Sequence, residues 1–269
     1  MPDSTSPIGI FDSGIGGLTV AKAVANLLPN EQILYFGDTA RVPYGIKSEE
    51  VIRKYSEQIT RFLLRKGVKM ILIACNSVSA TALESVLKTA GDTPVLNVIE
   101  AGADAVVASH FKRVGVIGTL ATTSSRAYEK ALRERDPDIR IISRACPMLV
   151  PLAEEGWIDN EITRLTLREY LKPLEKEGME ALILGCTHYP LFTPAIRNLI
   201  KDKDLKIIDS ADSIAAAAGN ALETLRLRNS SAESGSFQCF VSDRPQRFQE
   251  LAERFLGRTI HHIEIVDLE

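Results

Sequence analysis

Met70-Ile71-Leu72-Ile73-Ala74-Cys75-Asn76-Ser77 and Ala181-Leu182-Ile183-Leu184-Gly185-Cys186-Thr187-His188 are the two stretches on which the fold turns. Each is a short apolar run that ends on a cysteine and passes at once into hydrogen-bonding residues. Runs this apolar suit strands buried on both faces, as in a parallel sheet covered by helices on either side. In an open parallel sheet, ligands bind in the crevice beyond the carboxyl ends of the strands, so Cys75 and Cys186 stand where chemistry is expected.

Outward from these runs the same alternation continues along all 269 residues. Short segments rich in Ile, Val and Leu alternate with longer amphipathic ones, the pattern of repeated βα units. The chain is therefore expected to be α/β, with strands at Ile8 to Phe11, Gln32 to Phe36, Lys69 to Ala74, Val95 to Val98, Arg113 to Ile117, Ile139 to Ser143, Ala181 to Gly185 and Lys206 to Ile208. Apolar residues three and four apart on a charged background predict surface helices over Glu49 to Arg65 and Glu161 to Glu177. The tail adds a strand over Phe237 to Val241, a helix from Pro245 to Phe255 and a strand around Ile263. Gly9-Ile10-Phe11-Asp12-Ser13-Gly14 is echoed by Gly115-Val116-Ile117-Gly118-Thr119-Leu120 at an offset of 106 (115 − 9), and Cys75 by Cys186 at 111 (186 − 75). Such an echo fits two related lobes whose strand ends face each other across a site.

Composition narrows the function. The chain is 45% hydrophobic and 25% charged, with 35 acidic against 32 basic residues and a formal charge of -3. Its basic residues are scattered singly, which gives no footprint for nucleic acid. No apolar run approaches the roughly 18 residues of a membrane span, and the polar opening Met1 to Pro7 lacks a signal peptide's charged start and apolar stretch. The four cysteines are far apart and show no CxxC spacing, so neither a zinc knuckle nor a disulfide scaffold is favoured. Free thiols fit a reducing, cytoplasmic compartment.

Removing a proton from a tetrahedral carbon and returning one to its opposite face requires a base and an acid on either side. Two thiols can exchange those roles, provided helix N-termini and polar neighbours keep one of them ionised. The competing reading is that a cysteine at a strand end is simply a small buried hydrophobe; Cys146, beside Pro147, and Cys239, inside an alternating run, are assigned to it. In Asp12-Ser13-Gly14-Ile15-Gly16-Gly17 the glycines allow close backbone approach, and the turn reads either as an anion cradle or as a plain strand-to-helix turn capped by its own side chains. Asp12 could hold a substrate ammonium or orient Cys75. Asn76, Ser77, Thr187 and His188 follow the cysteines and would reach the same crevice, although capping alone would explain the first three. Tyr44 and Gly45 end a turn-rich loop, Gly37 to Gly45, that lines the same end of the sheet. Thr119 and Thr122 offer further hydroxyls. Glu154 and Glu155 read as a solvated acidic turn, and His261 and His262 as tail residues without a role.

Taken together, GIFDSGIGGLTV, YFGDTARVPYG, ACNSVSA and GCTHYPL resemble the glutamate racemases, in family order and with suitable spacing across most of the chain. The resemblance implies two flavodoxin- or Rossmann-like lobes related by a pseudo-twofold axis, one inserted in the other, with residues 1–98 and 209–269 forming the first and 99–208 the second. It implies a cofactor-independent, metal-free racemase of L- and D-glutamate that supplies peptidoglycan synthesis, a cytoplasmic homodimer with no nucleic-acid or membrane partner. By motif, Cys75 and Cys186 become the proton-transfer residues, with Asp12 and His188 as their respective neighbours. Substrate contacts are implied for Asp12, Ser13, Tyr44, Gly45, Asn76, Ser77, Thr119, Thr122, Thr187 and His188, and Glu154 as an assistant to the histidine. Ser77 stands where the family more often has threonine and keeps the hydroxyl. The short start before the first strand implies that control through an N-terminal extension is absent. Two alternatives remain open: racemisation of aspartate or another small acid by the same thiols, and a non-catalytic amino-acid-binding module.

Overall fold

The computed structural model describes the chain apart from residues 1, 201–203, 232, 258, 261 and 269, so His261 lies outside the described residues. The chain begins β1 (Ile8–Asp12), α1 (Leu18–Leu27), β2 (Ile33–Gly37), α2 (Glu49–Arg65), β3 (Met70–Ile73), α3 (Asn76–Thr81), α4 (Leu83–Ala90) and β4 (Val95–Asn97). It continues through α5 (Val98–Ala108), β5 (Arg113–Gly118), α6 (Leu120–Ser124), α7 (Ala127–Arg135), β6 (Arg140–Ala145), α8 (Leu149–Glu154), α9 (Glu161–Lys176), β7 (Ala181–Gly185), α10 (Thr193–Leu199) and β8 (Lys206–Asp209). It closes with α11 (Ser210–Thr224), β9 (Phe237–Val241), α12 (Pro245–Leu256) and β10 (Ile263–Ile265).

Among the described residues the strands form two parallel sheets, of order β10-β9-β2-β1-β3-β4 and β6-β5-β7-β8. The second order repeats the core of the first, with β5 in the place of β1 and β7 in the place of β3. Register agrees as well: Gly9 lies beside Ile71, and Gly115 beside Leu182. The sequence echo is thus a repeat of topology, and its two offsets are those of the central strands and of their cysteine-bearing neighbours.

Both glycines serve one packing purpose. A Cβ on Gly9 would come within 3.0 Å of Val68 and 3.1 Å of Leu63, and one on Gly115 within 2.7 Å of Leu174 and 2.8 Å of Met179. In each sheet the end of a long helix and the turn after it press onto the central strand, which has no room there for a side chain. Strands β1, β3 and β7 are buried along their whole length. Each Ile or Leu they bury contributes about 1.5–3 kcal/mol relative to exposure, which outweighs the modest strand propensity of any one residue.

The chain crosses between the sheets at two matched points. Asn97 accepts from the N–H groups of Ile99 and Glu100 to start α5, and Asp209 accepts from Ala211 N–H to start α11. Val98, expected as strand, is therefore helical, because the Asn97 side chain satisfies the first free amides of a helix there. Strand β6 runs two residues past the expected Ser143, paired with β5 as far as Ala145. The acidic turn expected at Pro151 to Gly156 is in part helix: Pro151 falls in the first turn of α8, where its missing N–H costs nothing. Among the described residues, no helix is long and apolar enough to cross a membrane.

Candidate active site

The carboxyl ends of β1 and β3 face those of β5 and β7 across a cleft of about 340 Å³. From the first sheet it is lined by Ser13, Tyr44, Gly45, Cys75, Asn76 and Ser77, and from the second by Thr119, Glu154, Cys186, Thr187 and His188. Apolar residues, among them Val42, Ile46, Leu120, Pro147 and Val150, complete its wall. Two residues expected to touch ligand do not line it. Thr122 is buried behind Thr119, bonded to it through the two hydroxyls at 3.1 Å, and Asp12 lies beneath the turn that follows β1.

Cys75 stands at the N-cap position of α3. Its Sγ lies 3.6 Å from Ser13 Oγ, and the thiol is 4% exposed. Cys186 sits at the corresponding end of β7, 7% exposed, with its Sγ 3.9 Å from His188 Nδ1. The far nitrogen of that ring, Nε2, meets Glu154 Oε1 at 3.2 Å, and Phe255 packs edge-on against the imidazole at 5.3 Å between centroids. One side of the cleft thus pairs its thiol with a hydroxyl, the other with a histidine–glutamate dyad.

Burial works against the expected thiolate. Burial pushes the Cys75 thiol up to about 12, with the nearby Asp12 adding to the rise, while the Val78 amide and Ser13 pull it down by less. Burial likewise holds Cys186 above the ordinary thiol range, against the opposing pull of the His188 N–H. The six-residue α3 and the single 3₁₀ turn Tyr189–Phe192 after Cys186 are short, and desolvation wins. Burial therefore opposes ionisation at both sulfurs.

Two amides of the glycine turn are withdrawn from ligand. Asp12 Oδ2 accepts from those of Gly14 at 3.1 Å and Gly17 at 3.0 Å, so these N–H groups already hold a carboxylate of the chain itself. Asp12 Oδ1 remains buried without a hydrogen-bond partner. Asn76 is its counterpart: Oδ1 accepts from Tyr128 OH at 2.7 Å, while Nδ2 is buried and unpartnered. An acceptor oxygen and an amide donor, each without a partner, are therefore buried on the Cys75 side. A buried polar group without a partner costs about 1–3 kcal/mol, a cost that a zwitterionic ligand can relieve at both ends.

The loop before the cleft is fixed from behind. Asp38 accepts from Tyr44 OH, from Arg41 Nε at 2.7 Å and from Ser242 Oγ at 2.7 Å, which sets Tyr44 and Gly45 in the wall. Ser77 Oγ and Thr119 Oγ1, 3.0 Å apart, join the two sides directly. Tyr128, hydrogen-bonded to both Asn76 and Ser210, escaped the reading of the sequence: it lies within a helix, next to no motif, and only the packing of α7 brings it behind Asn76. Among the described residues, no group of three or more metal-ligating side chains converges.

Residues 17–218 match the family described as Asp/Glu/hydantoin racemase. Over 263 residues the chain is 49% identical to the glutamate racemase of Syntrophus aciditrophicus, covering 97% of each chain, and over 266 residues 49% identical to that of Chlorobaculum tepidum, covering 98% and 97%. The crystal structure of glutamate racemase from Francisella tularensis in complex with D-glutamate superimposes with a TM-score of 0.93 at 40% identity, covering 99% of both chains.

Proposed function

The chain belongs to the Asp/Glu/hydantoin racemase family, and from that premise we propose that it interconverts L- and D-glutamate, one of Cys75 and Cys186 removing the α-proton and the other delivering its own proton to the opposite face. The observation that carries this reading is the placement of two cysteines at equivalent strand ends on opposite sides of one cleft, beside an unpartnered acceptor in Asp12 and an unpartnered donor in Asn76. The substrate ammonium is attracted by the Asp12 carboxylate, buried beneath the turn behind the cleft lining, and its α-carboxylate goes to the Asn76 amide with Ser77, Thr119 and Thr187. Ser13, Tyr44 and Gly45 complete the binding surface, and Thr122 acts by holding Thr119.

The reaction needs one sulfur ionised and the other protonated. Burial opposes ionisation, and the ammonium of the substrate, brought into a low-dielectric cleft, offsets it. A raised thiol pKa works in both directions: fewer sulfurs are ionised, but each thiolate is a stronger base toward a weakly acidic C–H bond. Cys75 thiolate takes the α-proton and becomes a thiol; the carbanion takes the Cys186 proton on its other face and leaves a thiolate. The reverse reaction exchanges the roles. His188, held by Glu154, is the proton partner of Cys186, as Ser13 is the hydrogen-bonding partner of Cys75.

The division into lobes 1–98 with 209–269 and 99–208 accompanies this reading, as do a homodimeric, cytoplasmic enzyme and a role of D-glutamate in peptidoglycan synthesis. Incubation of the pure protein with L-glutamate in deuterated water, followed by chiral analysis and mass measurement, tests it. D-glutamate carrying one deuterium at Cα is the expected product. Ligand binding without exchange at Cα would leave a binding module, and faster turnover of L-aspartate in a parallel reaction would move the substrate to the shorter acid.

A further inference from the structure

Tyr128 comes from α7, beside the second sheet, yet its hydroxyl lies between Asn76 of α3 and Ser210 of α11, at 2.7 Å and 3.2 Å. The side chain is 2% exposed, and its ring is packed between two glycines: a Cβ on Gly185 would fall 3.1 Å from it, tighter than ordinary contact, and one on Gly102 would just touch it at 3.4 Å. The hydroxyl is therefore fixed in place, and it donates to Asn76 Oδ1. A phenol is a stronger donor and a poorer acceptor than an aliphatic alcohol, so the hydrogen-bond chain is polarised from Ser210 through Tyr128 to Asn76.

That polarity decides which end of the amide faces ligand. With Oδ1 engaged, Nδ2 is the atom left buried and unpartnered in a residue that lines the cleft. We propose that Tyr128 is a positioning residue for substrate recognition, holding the Asn76 amide so that its N–H groups, and not its carbonyl oxygen, meet the α-carboxylate of the amino acid. This deepens the racemase reading and rests on it. Without the hydroxyl, either orientation of the amide leaves one of its atoms unpaired behind, so nothing holds the donors inward and the amide is free to present its oxygen to an anion.

The test is a double-mutant cycle on glutamate racemisation with Tyr128→Phe and Asn76→Ala, together with Ser210→Ala. Tyr128→Phe is expected to raise KM about tenfold, the effect of leaving one buried acceptor unpaired, with kcat within about threefold. It is expected to add nothing in the Asn76→Ala background, whereas Ser210→Ala leaves KM near that of the unaltered protein. An unchanged KM in Tyr128→Phe, or the same rise with and without Asn76, would overturn the proposal. Should Tyr128→Phe not fold, Asn76→Asp takes its place: with one carboxylate oxygen held by Tyr128, the other faces the substrate, so KM must exceed that of Asn76→Ala, and equal values would overturn the proposal. If the unaltered protein turns over no glutamate, it is the racemase reading that fails.

Discussion

Gly16 and His188 approach each other across the cleft so closely that a Cβ on Gly16 would lie 2.5 Å from His188 Nδ1, the nitrogen that faces Cys186, and 2.3 Å from Thr187 Oγ1. Backbone from the first sheet's glycine turn is therefore the surface against which the second sheet's His188 is seated. Gly16→Ala has no space to enter without moving the histidine or separating the two sides. A displacement of about 1 Å at a reacting group costs on the order of 10²-fold in rate. Steady-state assays of Gly16→Ala should show a loss of kcat/KM of that order while its circular dichroism remains that of the unaltered protein; full activity would mean that the seating has no catalytic weight.

Replacing either cysteine by alanine removes an acid or base from one face of Cα, and racemisation should fall by about 10³-fold or more. Elimination from a glutamate analogue with a β-leaving group needs a single base, so each variant should retain it with one enantiomer only. Undiminished racemisation by Cys186→Ala, measured by loss of optical rotation, would exclude the two-thiol scheme.

The pH dependence follows from the direction of the thiol shifts. Burial puts the Cys75 thiol at about 12, above its ordinary value of 9.0, so its reactive anion becomes more abundant as pH rises throughout the range below 12. Because kcat/KM reports the free enzyme, it should climb from pH 7 through pH 9, and Cys186, also raised, keeps its proton over that interval. A kcat/KM profile that is flat or falling between pH 7 and 9 would show that the base is already ionised before substrate arrives.

Lys69 and Glu31 form a buried ion pair at 2.5 Å, remote from the cleft lining. The ammonium also donates to Ser4 O at 2.6 Å and Leu227 O at 2.8 Å, tying the chain's start and the segment after α11 to the base of β3. Lys69→Ala leaves Glu31 charged and buried without its cation, a change that costs about 3–5 kcal/mol. Urea denaturation should register that loss while KM for substrate stays unchanged in the folded fraction; a stability change below 1 kcal/mol would contradict this account.

Much of this molecule is local and therefore legible. The alternation of Ile, Val and Leu runs with amphipathic stretches dictates strands and helices, because burial on two faces and burial on one leave different patterns. Matched contexts around Cys75 and Cys186 mark equivalent strand ends, and the glycines at positions 9 and 115 carry the repeat. What the pattern left ambiguous depended on partners distant in sequence. Whether the amides of Gly14 and Gly17 serve a ligand or Asp12 is settled by where a carboxylate folds back, and the protonation of the thiols by how completely two sheets exclude water. Tyr128 shows the limit: 52 residues separate it from Asn76, and nothing in its neighbourhood signals a role. Sequence alone determined which elements form and which residue types stand at their ends, since those follow from short-range hydrogen bonding and apolar periodicity. Tertiary structure alone decided which polar atoms remain unsatisfied in the cleft and at what cost a sulfur ionises, since desolvation is a property of everything packed around a group.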